Sequence, residues 1–339
     1  QKSLLDEVHD WVRRVAHPNE DRVAEAYEVP AGIVQEMAGM GFFGWSIPEE
    51  YGGLSLPISA AAAILEEIHH AGANAAACHA QMYTMGTILR HGSDAQKAEY
   101  LPKIASGDLR LQAFGVTEPT SGTDTLSLKT TAKRDGDEYI VNGQKIWTSR
   151  AEHSDLMLLL ARTTPKDQVE KRSRGLSVFI VDMNRAKLDG LTIKPIRTMM
   201  NHATTEVFFD NVRVPAANLV GDEGMGFRYI LSGMNAERIL IGAECVGDAK
   251  WFIRKATDYA GDRSVFGRPI GQNQGVQFPI ARAYTGMRAA ELMVKEAAGL
   301  FEAGEDCGAE ANMAKMLAAD AAWEAANVCV QTHGGFGFA

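Results

Sequence analysis

Residues 117–124 read Thr117-Glu118-Pro119-Thr120-Ser121-Gly122-Thr123-Asp124, and 23 residues after Asp124 stands Trp147-Thr148-Ser149. The first run sets short hydroxyls, a glycine and a proline between an apolar strand-like run and a polar hairpin. Such a loop offers backbone N–H and side-chain O–H groups to a large heteroaromatic ligand. Taken alone it also reads as a polar hairpin cap, with Trp147 a core aromatic on the hairpin. A second candidate is Glu237. In the helical stretch Phe227–Asp258 it shares a face with Gly233, Met234, Leu240 and Ile241, at i−4, i−3, i+3 and i+4. A carboxylate on an apolar stripe loses hydration, which favours its neutral form. That is the tuning a general base needs to take a weakly acidic carbon-bound proton. The alternative is a helix carboxylate paired with a lysine or arginine elsewhere. The adjacent Arg238 points about 100° away around a helix and is no automatic partner.

The elements that must carry these residues fall into thirds. Residues 1–110 read as helices, with Val8, Trp11, Val12 and Val15 at helical spacing and Ile33, Val34 and Met37 as the stripe of a helix begun at Pro30. Gly44 to Gly53 breaks the pattern, the alanine-rich stretch 60–80 makes a tightly packed helix or helix pair, and residues 86–104 give one or two more. From 111 to 217 the chain alternates and is turn-rich, a β-domain. Asp135-Gly136 and Asn142-Gly143 mark tight turns, the second favouring a hairpin, and Leu156–Ala161, Leu176–Val181 and Val207–Phe209 are short strands. From 218 to 339 the helical period returns, with helices over 225–260, 272–303 and 309–332. The last third also holds Arg263-Ser264-Val265-Phe266-Gly267 with Gln274 following, and Gln331 with Gly334 and Gly335.

The TEPxSGTD loop followed by a Trp-Thr-Ser element resembles the acyl-CoA dehydrogenase flavoproteins, and the α–β–α order is similar to that family over essentially the whole chain. The resemblance implies an α+β fold: an N-terminal helical domain, a central antiparallel β-barrel or sandwich, and a C-terminal four-helix bundle. It implies FAD, lying between the second and third domains. Phe114, Val116 and Thr117 then contact the isoalloxazine, Gly122 and Thr123 allow close approach, and Trp147 and Ser149 flank the ring near N5. The family more often has threonine at Ser149. Arg263, Phe266 and Gln274, with Gln331, Gly334 and Gly335, would hold the adenine and pyrophosphate end of FAD bound to a neighbouring subunit. Arginine suits that task by its bidentate geometry; otherwise Arg263 reads as an exposed helix-end charge. Asn235-Ala236-Glu237-Arg238 matches the subset, isovaleryl- and long-chain-type, whose base lies on this helix, so Glu237 becomes the catalytic base. Thr123, Met234, Asn235 and Arg238 become substrate-binding residues. Most relatives take their base from a segment beyond the equivalent of Ala339, and a truncated C-terminus is expected. Many relatives carry arginine where Asn201 stands.

The reaction implied is α-proton removal from an acyl-CoA with β-hydride transfer to flavin N5, giving the trans-2-enoyl-CoA. Fixed donors at the thioester carbonyl are then required, because the α-proton is weakly acidic. Electrons would leave to an electron-transfer flavoprotein or similar acceptor, and the shared site implies a homodimer or homotetramer. The same scaffold hosts flavin oxidases and monooxygenases, and flavin-binding members without turnover; rapid peroxide formation or a salt-sensitive DNA shift would favour those readings.

Composition narrows the rest. The 339 residues are 46% hydrophobic with a net charge of −9, room for roughly two domains at ~150 residues each and a poor match to nucleic acid. No apolar run approaches the ~18 residues of a membrane span, and the acidic N-terminus lacks a signal or transit pattern. A soluble, cytoplasmic protein (mitochondrial matrix in a eukaryote) is expected. The scattered Cys78, Cys245, Cys307 and Cys329 suit a reducing compartment. No metal site is expected, since Glu67-Ile68-His69-His70 gives only one E-x-x-H where a di-iron bundle needs two. The glycines near 221–226 and 334–337 lack the strand–turn–helix context of a Rossmann fingerprint.

Overall fold

A computed structural model describes residues 2–25, 30–199 and 203–338. Asn201, where the sequence departs from many relatives, lies outside the described residues. Helix α1 (Lys2–Trp11) runs on through irregular turns into α2 (Glu20–Glu25). Helix α3 (Ala31–Gly39) starts after Pro30 and buries Ile33, Val34 and Met37, the stripe read from the sequence. Helices α4 (Ile58–His70), α5 (Ala76–His91) and α6 (Asp94–Ala105) follow. Ser93 starts α6 with a capping box, its Oγ accepting from the Gln96 N–H while its own N–H donates to Gln96 Oε1.

The middle of the chain forms β1 (Leu111–Gly115), β2 (Thr131–Asp135), β3 (Glu138–Ser149), β4 (Leu156–Arg162), β5 (Leu176–Asp182), the short α7 (Met183–Lys187), β6 (Leu191–Pro195), β7 (Thr204–Pro215) and β8 (Leu219–Val220). They make one sheet in the order β6-β7-β3-β2-β4-β5-β8, with β1 added alongside β4. The path is open, so this is a sandwich-like layer and not a closed barrel, and it is mixed. β1 lies parallel to β4, β2 meets β4 parallel at Thr131 and Arg162, and the remaining pairs are antiparallel.

Both faces of the central strands are covered. Leu156, Leu158 and Leu160 pack with Met85, Ile88, Leu101 and Ile104 of α5 and α6. The alternate residues Met157, Leu159 and Ala161 pack with Tyr139, Phe179 and Val207. Strand side chains alternate, so double burial turns β4 into the unbroken apolar run seen in the sequence.

One turn expectation is corrected. Asp135-Gly136 does open the β2–β3 hairpin, with Asp135 opposite Glu138. Asn142-Gly143 instead sits inside β3, at a bulge against β7. The Asn142 side chain is committed across the strands, accepting from the Asn211 N–H at 2.9 Å and donating to Asn211 Oδ1 at 3.1 Å. A Cβ at Gly143 would lie 2.5 Å from Thr130 Oγ1, so the glycine serves close strand approach and not a turn.

Helix α8 (Gly226–Asp262), the hairpin β9 (Ser264–Val265) and β10 (Arg268–Pro269), α9 (Gln274–Glu302) and α10 (Gly308–His333) complete the chain. Buried Ala311, Ala314, Ala318, Ala321 and Ala325 give α10 a smooth ridge of small residues. The fourth helix packed with α8, α9 and α10 is α4. The Ser59 N–H donates to Glu302 at 2.7 Å, and a Cβ at Gly247 would fall 2.4 Å from the Glu66 carbonyl. Contacts divide the chain into two compact units. One comprises Gln1–Asp21, Leu56–Ala75 and Asn235–Ala339, the other Arg22–Ser55 and Ala76–Met234.

Candidate active site

Strand β1 delivers the hydroxyl-rich loop. Gly115 lets it press onto β4, since a Cβ there would meet Met157 Sδ at 2.9 Å. The chain then leaves β4 for β3, where the Ile146 N–H donates to the Thr117 carbonyl at 2.9 Å. Glu118 and Ser121 exchange backbone hydrogen bonds of 3.1 and 3.0 Å, which folds Pro119 and Thr120 into a tight turn. Phe114, Val116 and Thr117 are half-buried, while Gly122 and Thr123 are exposed. A Cβ on Gly122 would touch nothing within 4 Å, so there is open space over the loop.

Strand β3 supplies the aromatic. Lys145 pairs with Val207 and Thr148 with Thr205, which leaves Ile146 and Trp147 as a bulge. The extra residue turns both Lys145 and Thr148 inward and both Trp147 and Ser149 outward. Trp147 adopts φ +59° and is 58% exposed. A core role is excluded. A left-handed backbone costs a non-glycine residue ~1–2 kcal/mol, a strain the paired strands on either side hold in place.

Beneath the loop lies a buried ion pair that sequence reasoning passed over. Lys145 Nζ donates to Glu118 Oε1 at 2.8 Å and to the Val116 carbonyl at 3.1 Å, with both side chains almost wholly buried. Glu118 also accepts from the backbone N–H groups of Lys129 (2.6 Å) and Thr130 (2.9 Å). Burial works against its charge, but Lys145 and these donors hold the carboxyl below the usual range. Burial pulls Lys145 down to about 8, with Glu118 opposing. The buried Arg162 donates to the carbonyls of Leu126 (2.8 Å) and Leu128 (3.4 Å) at the loop's far end. The available signal was a lysine at an inward position of an alternating strand, which requires an anion.

On α8, Glu237 is half-buried, with Ile239, Leu240 and Ala243 fully buried beyond it. Arg238 turns back along the helix to donate to Asn235 Oδ1 at 3.1 Å, and Met234 is half-buried. Past the end of α8, Phe266 and Gly267 have φ of +53° and +77° at the tip of the β9–β10 hairpin, a two-residue loop of the primed type. Phe266 is fully exposed, and Arg263, Gln274, Gln331, Gly334 and Gly335 are exposed. Tyr259, one turn before Arg263, stacks on His333, which brings the Arg263 hairpin and the 331–335 segment to one end of the helices.

His69 lies 2.9 Å from Asp248 and 3.6 Å from Glu244. Among the described residues no group of three or more His, Cys, Asp or Glu is arranged to hold a metal ion.

Three family models match the chain: the acyl-CoA dehydrogenase N-terminal domain over residues 1–108, the middle domain over 113–212 and the C-terminal domain over 224–339. The chain is 38% identical over 336 residues to an acyl-CoA dehydrogenase of Bacillus subtilis (strain 168), covering 98% of this chain and 86% of that one. It is 35% identical over 348 residues to a 3-(aryl)acrylate reductase of Clostridium sporogenes (strain ATCC 15579), covering 99% and 90%. Among solved structures it is similar, with a TM-score of 0.93 and 32% identity over 100% of this chain and 88% of the other, to one described with the electron transferring flavoprotein of Acidaminococcus fermentans. The chain belongs to the acyl-CoA dehydrogenase family. It is an FAD-dependent oxidoreductase that dehydrogenates acyl-CoA thioesters. Among the described residues no helix is long and apolar enough to cross a membrane.

Proposed function

We propose that the chain carries out α,β-dehydrogenation of an acyl-CoA to the trans-2-enoyl-CoA with Glu237 as the base. Bound FAD supplies the acceptor for the substrate's β-hydride. Phe114, Val116, Thr117, Gly122, Thr123, Trp147 and Ser149 hold its ring. Arg263, Phe266, Gln274, Gln331, Gly334 and Gly335 of a second copy hold its adenine and pyrophosphate end. The observation that carries this reading is Trp147, an exposed indole on a strained bulge beside a hydroxyl loop with open space above it. Those features fit a flat heteroaromatic ring.

Glu237 takes the α-proton from its half-buried place on α8. Thr123, Met234, Asn235 and Arg238 contact the substrate. Exposed Phe266, Phe278, Trp323 and Phe336 supply apolar surface for a homodimer or homotetramer. Electrons pass to an electron-transfer flavoprotein, a reading supported by the name of the structural relative. We keep 1–110, 111–217 and 218–339 as the domains, and a cytoplasmic (or matrix) location.

Anaerobic titration of the FAD-loaded protein with straight-chain, branched and aryl acyl-CoA thioesters tests this reading. Loss of the yellow colour is expected with one class. Because one relative is named for reducing an aryl acrylate, the enoyl products are offered to the reduced protein as well. A protein that never takes up FAD would end the proposal.

A further inference from the structure

A buried ion pair is a poor way to gain stability, because well-packed apolar residues of the same volume do as well or better. What Glu118 and Lys145 provide is a fixed arrangement. Through one carboxylate, Glu118 joins Lys145 on β3 to the backbone N–H groups of Lys129 and Thr130. Lys145 reaches back to the Val116 carbonyl, and the next residue, Ile146, donates to Thr117. The loop is therefore clamped at its start and finish against the strand that bulges at Trp147. Arg162 fixes the same segment from β4 through the carbonyls of Leu126 and Leu128.

We infer that Glu118 and Lys145 are positioning residues that set the Thr117 edge of the loop against the Trp147 bulge, and so fix the seat of the flavin ring. The inference rests on the reading of that loop and bulge as the flavin site. Neither side chain touches the ring, and they act through Thr117 and Trp147.

The test compares wild type, Lys145→Met and the neutral double variant Glu118→Gln/Lys145→Met, all as FAD-loaded protein. The double variant removes the buried lysine charge together with its carboxylate, so it keeps the question answerable where the single variant folds poorly. Three quantities are read well below each variant's melting temperature: the position and fine structure of the visible flavin band, amide hydrogen exchange over 117–128, and the rate of flavin reduction per bound FAD. Both variants are expected to blur and shift the band and to speed loop exchange at least tenfold. Reduction should slow by roughly 100-fold, as misplacement of reacting groups by about an ångström does. A double variant with the wild-type band, loop exchange and reduction rate would overturn the inference and leave the flavin site standing. A wild-type protein that never binds FAD would instead remove the site itself, and the inference with it.

Discussion

Tyr259 and His333 stack with ring centroids 4.2 Å apart and planes 26° from parallel. This contact ties the end of α8 to the end of α10, and with them the Arg263 hairpin to the Gln331–Gly335 segment. Both carry exposed polar groups, which the proposed function assigns to the dinucleotide. Arg263→Ala should therefore lower FAD retention and subunit assembly together. Cofactor content by absorbance and mass by light scattering check this, and unchanged values for both would contradict a shared site.

Trp147 is predicted to cost the apoprotein stability that it returns as binding. Asparagine tolerates a left-handed backbone, so Trp147→Asn should leave the apoprotein as stable as wild type or more stable by up to about 1 kcal/mol. FAD affinity should fall at least tenfold. Chemical denaturation of the apoprotein and flavin titration give the two numbers. A large loss of apoprotein stability would mean that the indole is packed after all.

His69 gives a pH dependence of known sign. Burial works against its charged form, but the Asp248 and Glu244 carboxylates outweigh it and raise the imidazole from 6.5 to about 10. The folded value lies above the unfolded one, so this stabilisation is complete below about pH 6.5 and disappears as the pH climbs through about 10. His69→Gln should accordingly lower the melting temperature most near pH 6 and progressively less toward pH 10. A gap between the two proteins that does not change with pH would refute the assignment.

Much of this was legible because periodicity reports burial. The three C-terminal helices lie within two residues of the ranges read from the sequence, since long periodic segments leave little choice. Strand β7 was read as only three residues. The exposed polar pair Asp210-Asn211 breaks its apolar run, Val212 and Val214 beyond are buried again, and pairing with β3 extends it to Pro215. Asn142-Gly143 misled because turn chemistry and bulge chemistry use the same residues, and only the partner Asn211 separates them. The Glu118–Lys145 pair stayed hidden because its two ends are far apart in the chain and Glu118 sat inside a motif read for its hydroxyls. The open space at Gly122 has no sequence signature, as it depends on what does not pack there.

The central claim is that Glu237 removes the substrate α-proton, and anaerobic titration of FAD-loaded Glu237→Gln with acyl-CoA thioesters tests it most directly. The account predicts that this variant retains its flavin at wild-type stoichiometry and keeps its colour with every thioester that bleaches the wild type. Bleaching at the wild-type rate would contradict it and assign the proton transfer to another group.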